Sequence, residues 1–400
     1  MAASVGLTTM LGKQVFDITG RELDLGLLGL AEFLPTLILA PMGGTLSDRF
    51  DRRYLILAGL LVNAAAAVAL AVYASTDPTG VGPIFGLVAM LGAGQGLLFG
   101  SMRALPADMS PPAVLSRVMA LRSASWQSGI IVGPVAGGFL YVIAVPVPLL
   151  VAAVVLALAA GLTVLLPRST IAKTDDVLGP KAMVRSALEG VKFIRRTPLL
   201  YGAITLDLFA VLLGGAIALL PAIAEERLGV GAVGLGWMRA AVGIGAAAMT
   251  LMIAWKPIEQ RIGVVLLWAV AVFGVATVGL GFTRSYGVAL ALLTLMSAAD
   301  AISVFIRSTI VPLATPESMR GRVLSVETVF IGASNELGAF QSGVAGAILG
   351  VSGAVVFGGV GTLVVVGLWT VLFPHLRNAD RFSDIVAAAD EVVVEGAAGS

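Results

Sequence analysis

The chain has 400 residues, of which 58% are hydrophobic and only 12% charged, with a formal net charge of +1. Soluble domains carry about 25% charged residues, so half that share cannot cover a water-facing surface, and soluble globular classes are excluded. The lack of cysteine removes disulfides and thiolate metal sites without fixing the redox compartment. The balanced charge does not point to nucleic acid or another polyanion, whereas the 49 glycines suit helices that approach one another closely in lipid.

Met1 to Met10 contain neither a basic stretch nor a small-residue cleavage pattern, so no removable signal peptide is read there. Apolar stretches of about 20 residues can cross a bilayer as helices. The sequence predicts them at 1–17, 24–47, 54–75, 81–105, 115–140 and 146–166, then at 198–221, 232–254, 262–282, 286–310, 320–349 and 353–373. The first is short: about 16 residues at about 1.5 Å each reach about 24 Å, against a hydrocarbon core of about 30 Å. Either this helix is truncated or the natural start lies upstream, and the latter reading is preferred. Between the two sets, residues 168–197 are polar. From Pro180 to Arg196, Met183, Ala187, Val191 and Ile194 form one helical stripe among Lys and Arg. An amphipathic helix on an anionic leaflet and a solvated linker helix both fit this pattern. The expected organisation is a six-helix bundle over 1–167, a cytoplasmic linker over 168–197, a second six-helix bundle over 198–373, and a disordered cytoplasmic tail over 374–400.

Basic residues set orientation, because cytoplasmic loops are enriched in them. With the Asp48–Arg53 turn inside, about twenty basic residues, from Arg49 through Arg117, Arg185, Arg307 and Arg322 to Arg381, share its side. The other side keeps Arg21, Arg227 and Arg284. Both termini are therefore expected in the cytoplasm. The halves also resemble each other: Pro111, Arg117-Val118, Gly133 and Gly138 recur as Pro316, Arg322-Val323, Gly338 and Gly343, all 205 positions later. Gly29 pairs with Gly236 at a slightly longer offset. Parallel six-helix repeats with a substrate site between them are one architecture of secondary transporters.

Gly43-Gly44-Thr45-Leu46-Ser47-Asp48-Arg49-Phe50-Asp51-Arg52-Arg53 resembles the loop signature between the second and third helices of the major facilitator superfamily. Gly129-x-x-x-Gly133-Pro134-x-x-Gly137-Gly138 resembles that superfamily's antiporter signature, with Ala120 where a glycine is expected. The strings Asp207 to Gly215 and Ile331 to Gly338 resemble the branch holding the enterobactin exporter and related drug exporters. The second copy of the loop signature, at Trp255–Gly263, is degraded. This resemblance implies an all-α integral membrane protein of twelve transmembrane helices in two six-helix bundles. By the same resemblance, Asp48, Arg49, Arg52 and Arg53 would form a conformational latch; as plain sequence, the arginines also serve as topology anchors. Gly129, Gly133 and Gly137, spaced four apart, make a flat helix face that Pro134 bends, with Gly138 beside it. Exporters of the family carry such a face, and ordinary close packing also explains it.

Ionisable groups at mid-membrane cost about 2.5–3.5 kcal/mol each on insertion scales, so their presence points to function. Asp207 is the first candidate for proton coupling and Glu336 the second, with Asp300 and Glu32 beside them; each also reads as a structural hydrogen-bond partner. Arg239 occupies the position equivalent to Glu32, and the two would suit a static pair. Lys13 and Asp17 read as a local pair on one helix face. Trp126, Phe209, Phe330 and Asn335 are candidate cavity residues, or packing. Gly92-x-Gly94-x-Gly96 lacks the strand context of a dinucleotide site. The single histidine, His375, lies in the tail, so no metal site, cofactor or catalytic triad is expected and the chain is not read as an enzyme.

The expected function is proton-coupled export of an amphiphilic small molecule, a siderophore or a drug, by alternating access across the plasma (inner) membrane. A non-transporting sensor-like relative and an uptake symporter are the alternatives. The expected partners are the substrate, protons and lipid, with no nucleic acid, and the working unit is a monomer.

Overall fold

A computed structural model describes residues 1–165 and 180–385. In lipid every backbone N–H and C=O must be bonded within the protein, and the described chain meets that demand with helices. They are α1 (Ala2–Thr19), α2 (Glu22–Arg49), α3 (Arg52–Ala74), α4 (Gly82–Met109), α5 (Pro112–Ile143), α6 (Pro146–Val164), α7 (Pro180–Arg196) and α8 (Pro198–Leu213). A 3-10 turn (Ala216–Leu219), the single turn α9 (Leu220–Ala222) and a π turn (Ile223–Arg227) follow. The remainder is α10 (Gly231–Trp255), α11 (Ile262–Phe282), α12 (Tyr286–Leu313), α13 (Glu317–Leu372) and α14 (Pro374–Arg377). Among the described residues nine helices are long and apolar enough to cross a membrane. The longest, α13, is broken at Gly350, whose φ of 71° interrupts the helix between the two predicted spans.

The chain forms two compact units. The first holds Met1–Val177 together with Ile217–Ala240. Its core joins Leu7 and Leu11 of α1, Leu70 of α3, Val88 of α4 and Leu149 of α6. Where α2 crosses α4, the Glu32 carbonyl leaves no space for a side chain at Gly92, and the Thr36 hydroxyl bridges the helices by donating to the Gly92 carbonyl at 2.8 Å. The apolar pattern assigns segment 217–240 to the second bundle, but glycines draw it onto α5: a methyl at Gly138 would lie 2.6 Å from the Ala232 carbonyl oxygen, and one at Gly236 2.5 Å from that of Pro134.

The second unit holds Leu178–Ala216 and Ala241–Ser400. Leu200 and Ile204 of α8, Leu266 of α11, Ile306 and Ile310 of α12 and Val323 of α13 build its core. Gly338 here does what its repeat mate Gly133 does in the first unit. Gly133 brings α5 against the Ala2 carbonyl of α1; Gly338 brings α13 against α8, where an added methyl would lie 2.7 Å from the Val211 oxygen.

Two expectations need correction. The apolar stripe of α7 docks on protein rather than on lipid or water: Ile194 is buried in the second unit's core and Val191 packs against it. Gly190 abuts the Arg322 carbonyl, and Glu189 pairs with Arg322 at 2.7 Å. Ala187 stays exposed, and the Met183 side chain and residues 166–179 lie outside the described residues. The start of the tail is ordered as well. Leu376 and Ile385 are buried, and Asp380 accepts from the Arg261 N–H at 3.0 Å while the Ala379 carbonyl accepts from Gly263 at 3.0 Å. The start of α11 has no side-chain cap, and the tail satisfies it instead: the Asp380 and Ala379 carbonyls accept from the Ile262 and Gly263 N–H groups. Residues 386–400 lie outside the described residues.

Candidate functional site

In the second unit, α8 and α12 bring a carboxylate and a guanidinium together away from water. Asp207 and Arg307 pair at 2.7 Å, both nearly fully buried. Arg307 lies seven residues after Asp300 on α12, about two helical turns on, so both face the same way. Asp300 and Glu327 of α13 are close enough to interact electrostatically with both members of the pair. Three carboxyl groups thus lie within electrostatic reach of one guanidinium, and Asp207 pairs with it directly. Beside them lies a small cavity of about 10 Å³, room for about one water, lined by Asp207, Ala210, Val211, Phe273, Asp300 and Ser303. Among the described residues the Arg307 Nε finds no acceptor, so the guanidinium retains a spare donor beside these acids.

The charge count decides what this cluster can do. With all three carboxyls ionised it would hold two uncompensated negative charges in a low-dielectric bundle, at several kcal/mol per unpaired ion. Binding protons removes that cost, and Arg307 balances the one carboxylate charge that remains. The arrangement is therefore suited to taking up and releasing protons.

Sequence reasoning locates Asp207 and Asp300 but misses Arg307 and Glu327. As sequence, Arg307 counts as a cytoplasmic anchor at the end of a span; α12 runs on to Leu313, which places it inside, and it leaves the orientation count. Its spacing from Asp300 is the available signal. Glu336, half-buried and nine residues beyond Glu327 on α13, does not line the cavity. Glu32 sits half-buried on α2, and among the described residues its side chain makes no ion pair, so the expected static pair with Arg239 does not form. The α2–α4 crossing directs that turn of α2 toward Gly92.

None of the other candidates lines that cavity. Phe209 meets Trp369 in a tilted ring contact with centroids 5.5 Å apart, Phe330 packs on the second unit's core, and Asn335 and Trp126 are exposed. In the first unit Gly129, Gly133 and Gly137 all face α1, whereas Gly138 and the Pro134 carbonyl face α10. In the loop signature the acid seen at work is Asp51. It caps α3 by accepting from the Arg53 N–H at 3.1 Å and takes that residue's guanidinium at 2.8 Å. Arg52 is half-buried beside it, and the side chains of Asp48 and Arg49 lie outside the described residues. Lys13 is more than a local partner of Asp17. Its buried ammonium reaches Glu225 at 3.1 Å as well as Asp17, while the Tyr141 hydroxyl donates to Asp17 at 2.8 Å.

Apolar helices of spanning length, glycine-mediated crossings repeated in two units and a buried acid–base cluster define a multi-pass membrane protein of the transporter class. The sequence profile of the Major Facilitator Superfamily matches residues 2–283, and the chain belongs to that superfamily. It is 25% identical over 389 residues to the uncharacterised MFS-type transporter YfiS of Bacillus subtilis strain 168, covering 94% of this chain and 90% of that one. A shorter stretch of 117 residues, 29% of each chain, is 32% identical to the quinolone resistance protein NorA of Staphylococcus aureus. Among solved structures a point mutant of the nucleoside transporter NupG superposes with a TM-score of 0.71 at 11% identity, covering 93% of this chain and 96% of that one. A bacterial homologue of the human lysosomal transporter Spinster gives 0.66 at 13%, covering 97% and 96%. These two share the fold. The chain is a transporter rather than an enzyme.

Proposed function

We propose that this transporter is a proton-coupled exporter of an amphiphilic small molecule, a drug or a siderophore, working by alternating access. The observation that carries this reading is the buried group of Asp207, Asp300 and Glu327 around Arg307. Acids in excess of their counter-charge in a membrane bundle are costly and mark substrate, ion or proton paths. Asp207 and Asp300 carry the proton, and Arg307 keeps the charge balanced while it is away. The local likeness to a quinolone resistance protein and the fifth-helix glycines support the outward direction. Twelve crossings follow if α1 and the shorter apolar helix Gly82–Leu98 also span and α13 crosses twice, once on each side of Gly350. The basic residues that remain at helix ends favour cytoplasmic termini in the plasma (inner) membrane.

Everted membrane vesicles with an imposed inward-acid gradient test the direction and the cargo. Ethidium, a fluoroquinolone and a catecholate siderophore are offered in turn. Accumulation of at least one, abolished when the gradient is collapsed, supports export. Gradient-driven loss of preloaded compound from these vesicles would reverse the direction and make the protein an uptake symporter.

A further inference from the structure

In the second unit, α10, α11 and α12 enclose a groove of about 260 Å³. Met249 of α10, Val265, Trp268 and Val272 of α11, and Leu295 and Ile302 of α12 line it, and every lining residue is apolar or aromatic. The spacing explains the shape. Val265, Trp268 and Val272 follow at i, i+3 and i+7, and Leu295 and Ile302 at i and i+7, so each helix contributes one stripe. From Val265 to Val272 the groove runs about 10 Å along the helix axis, against about 15 Å of hydrocarbon in one leaflet. Trp268 and Leu295 are exposed, so the groove opens at the protein surface.

Charge gathers just beyond one end. Arg261 precedes α11 four residues before Val265, at the head of its stripe. Lys256 follows Met249 by seven residues, and its N–H still bonds the Met252 carbonyl, so it stands above Met249 on the same helix face. Both side chains are exposed, and among the described residues neither makes an ion pair. The exposed indole of Trp255 ends α10 at the same level, as interfacial aromatics do. The docked tail adds Arg377 and Arg381 but also Asp380 and Asp384, and leaves the balance unchanged. Against Lys256 and Arg261 the loop sets Glu259 alone, and Glu259 lines a separate cavity with Arg381 and Ser383 of the tail.

We propose that this groove binds one anionic phospholipid, with an acyl chain along the stripes of α10, α11 and α12 and the phosphate at Lys256 and Arg261. The chemistry selects the occupant. A solute with polar groups along its length would find no partner in the groove, whereas a lipid chain needs none. A neutral lipid fills the groove but leaves the cations unmatched, and an anionic headgroup gains about fivefold in binding for each basic residue near the surface. Ala299 lines both this groove and the cavity holding Asp207 and Asp300. A bound chain therefore covers a wall one small side chain thick and keeps headgroup water from the acids on that side. The inference needs only a membrane-embedded chain and is independent of the proton and cargo assignments.

Trp268, on the rim, serves as the reporter. The full chain is reconstituted in phosphatidylcholine bilayers with graded amounts of brominated phosphatidylglycerol or of brominated phosphatidylcholine, and the loss of tryptophan fluorescence is followed. The part of the quenching that Trp268→Phe lacks belongs to Trp268. Half of it should require about five- to tenfold less brominated phosphatidylglycerol than brominated phosphatidylcholine. Lys256→Gln/Arg261→Gln changes two exposed side chains and should bring the two lipids within about twofold of each other. Ala298→Leu enlarges a lining residue and should remove the same preference with both cations in place. Equal quenching by the two lipids in the parent would mean that a neutral chain fills the groove, and no quenching of Trp268 by either would mean that protein covers it. A preference that survives in the double variant would put the headgroup elsewhere. Each of these three results overturns the proposal.

Discussion

Replacing Arg307 by methionine should be far more damaging than replacing its partner Asp207 by asparagine. Both side chains are almost fully buried and meet at 2.7 Å. Arg307→Met keeps a long flexible side chain but leaves Asp207, Asp300 and Glu327 without their counter-charge. Breaking a buried pair from one side costs about 3–5 kcal/mol. Asp207→Asn instead leaves the guanidinium with two other carboxylates and an amide oxygen in place of the lost one, at about 1–3 kcal/mol. The double variant should recover part of the arginine loss, because the acid most in need of the charge is gone. A coupling energy of about 2 kcal/mol or more is expected from the cycle. The assay is unfolding of purified protein in mixed micelles with increasing SDS, followed by tryptophan fluorescence and extrapolated for all four proteins. Equal losses in the two single variants, or additive losses in the double, would refute the reasoning, because the cluster would then not act as one charge system.

Other consequences follow from backbone crossings and caps. Gly338→Ala places a methyl 2.7 Å from the Val211 carbonyl oxygen and should cost about 1–3 kcal/mol by forcing α13 off α8; Gly287→Ala, with open space around it, serves as the control in the same SDS titration. Asp380→Ala removes the carboxylate that accepts from the Arg261 N–H while keeping the tail carbonyls that bond the first N–H groups of α11, and should cost about 0.5–1.5 kcal/mol. Limited proteolysis should then cut after Phe373 faster than in the parent, and unchanged cleavage would mean that the tail is held without that carboxylate. Asp51→Ala, which removes the side-chain cap of α3 and one acceptor of the Arg53 guanidinium, should bring a similar loss, read in the same titration.

Apolar runs and charge placement make the helices legible because lipid permits few alternatives to helix for a spanning segment. Asp207 and Asp300 are legible for the same reason, as charges where lipid should lie. Arg307 is not, because a span boundary misjudged by one turn makes a buried arginine look like an interfacial anchor. Lys13 and Asp17 can be seen as an i, i+4 pair, but Glu225 and Tyr141 are more than a hundred residues away in sequence and carry no local periodicity. The repeat at an offset of 205 locates Gly133 and Gly338 correctly as equivalent positions, since both serve helix crossings within their own units. It holds no warning that the tail carbonyls of Ala379 and Asp380 would take the first N–H groups of α11, because a tail has no repeat mate.

If the acids around Arg307 carry the proton that drives the substrate, removing two of them must uncouple transport without stopping exchange. Gradient-driven uptake and gradient-free exchange of the same compound, compared in everted vesicles for the parent and an Asp207→Asn/Asp300→Asn variant, test this most directly. The variant should reach the membrane, keep exchange and lose at least nine-tenths of the gradient-driven component, about 1.4 kcal/mol or more in rate terms. Full gradient-driven uptake by the variant would contradict the proton-carrying role of the cluster.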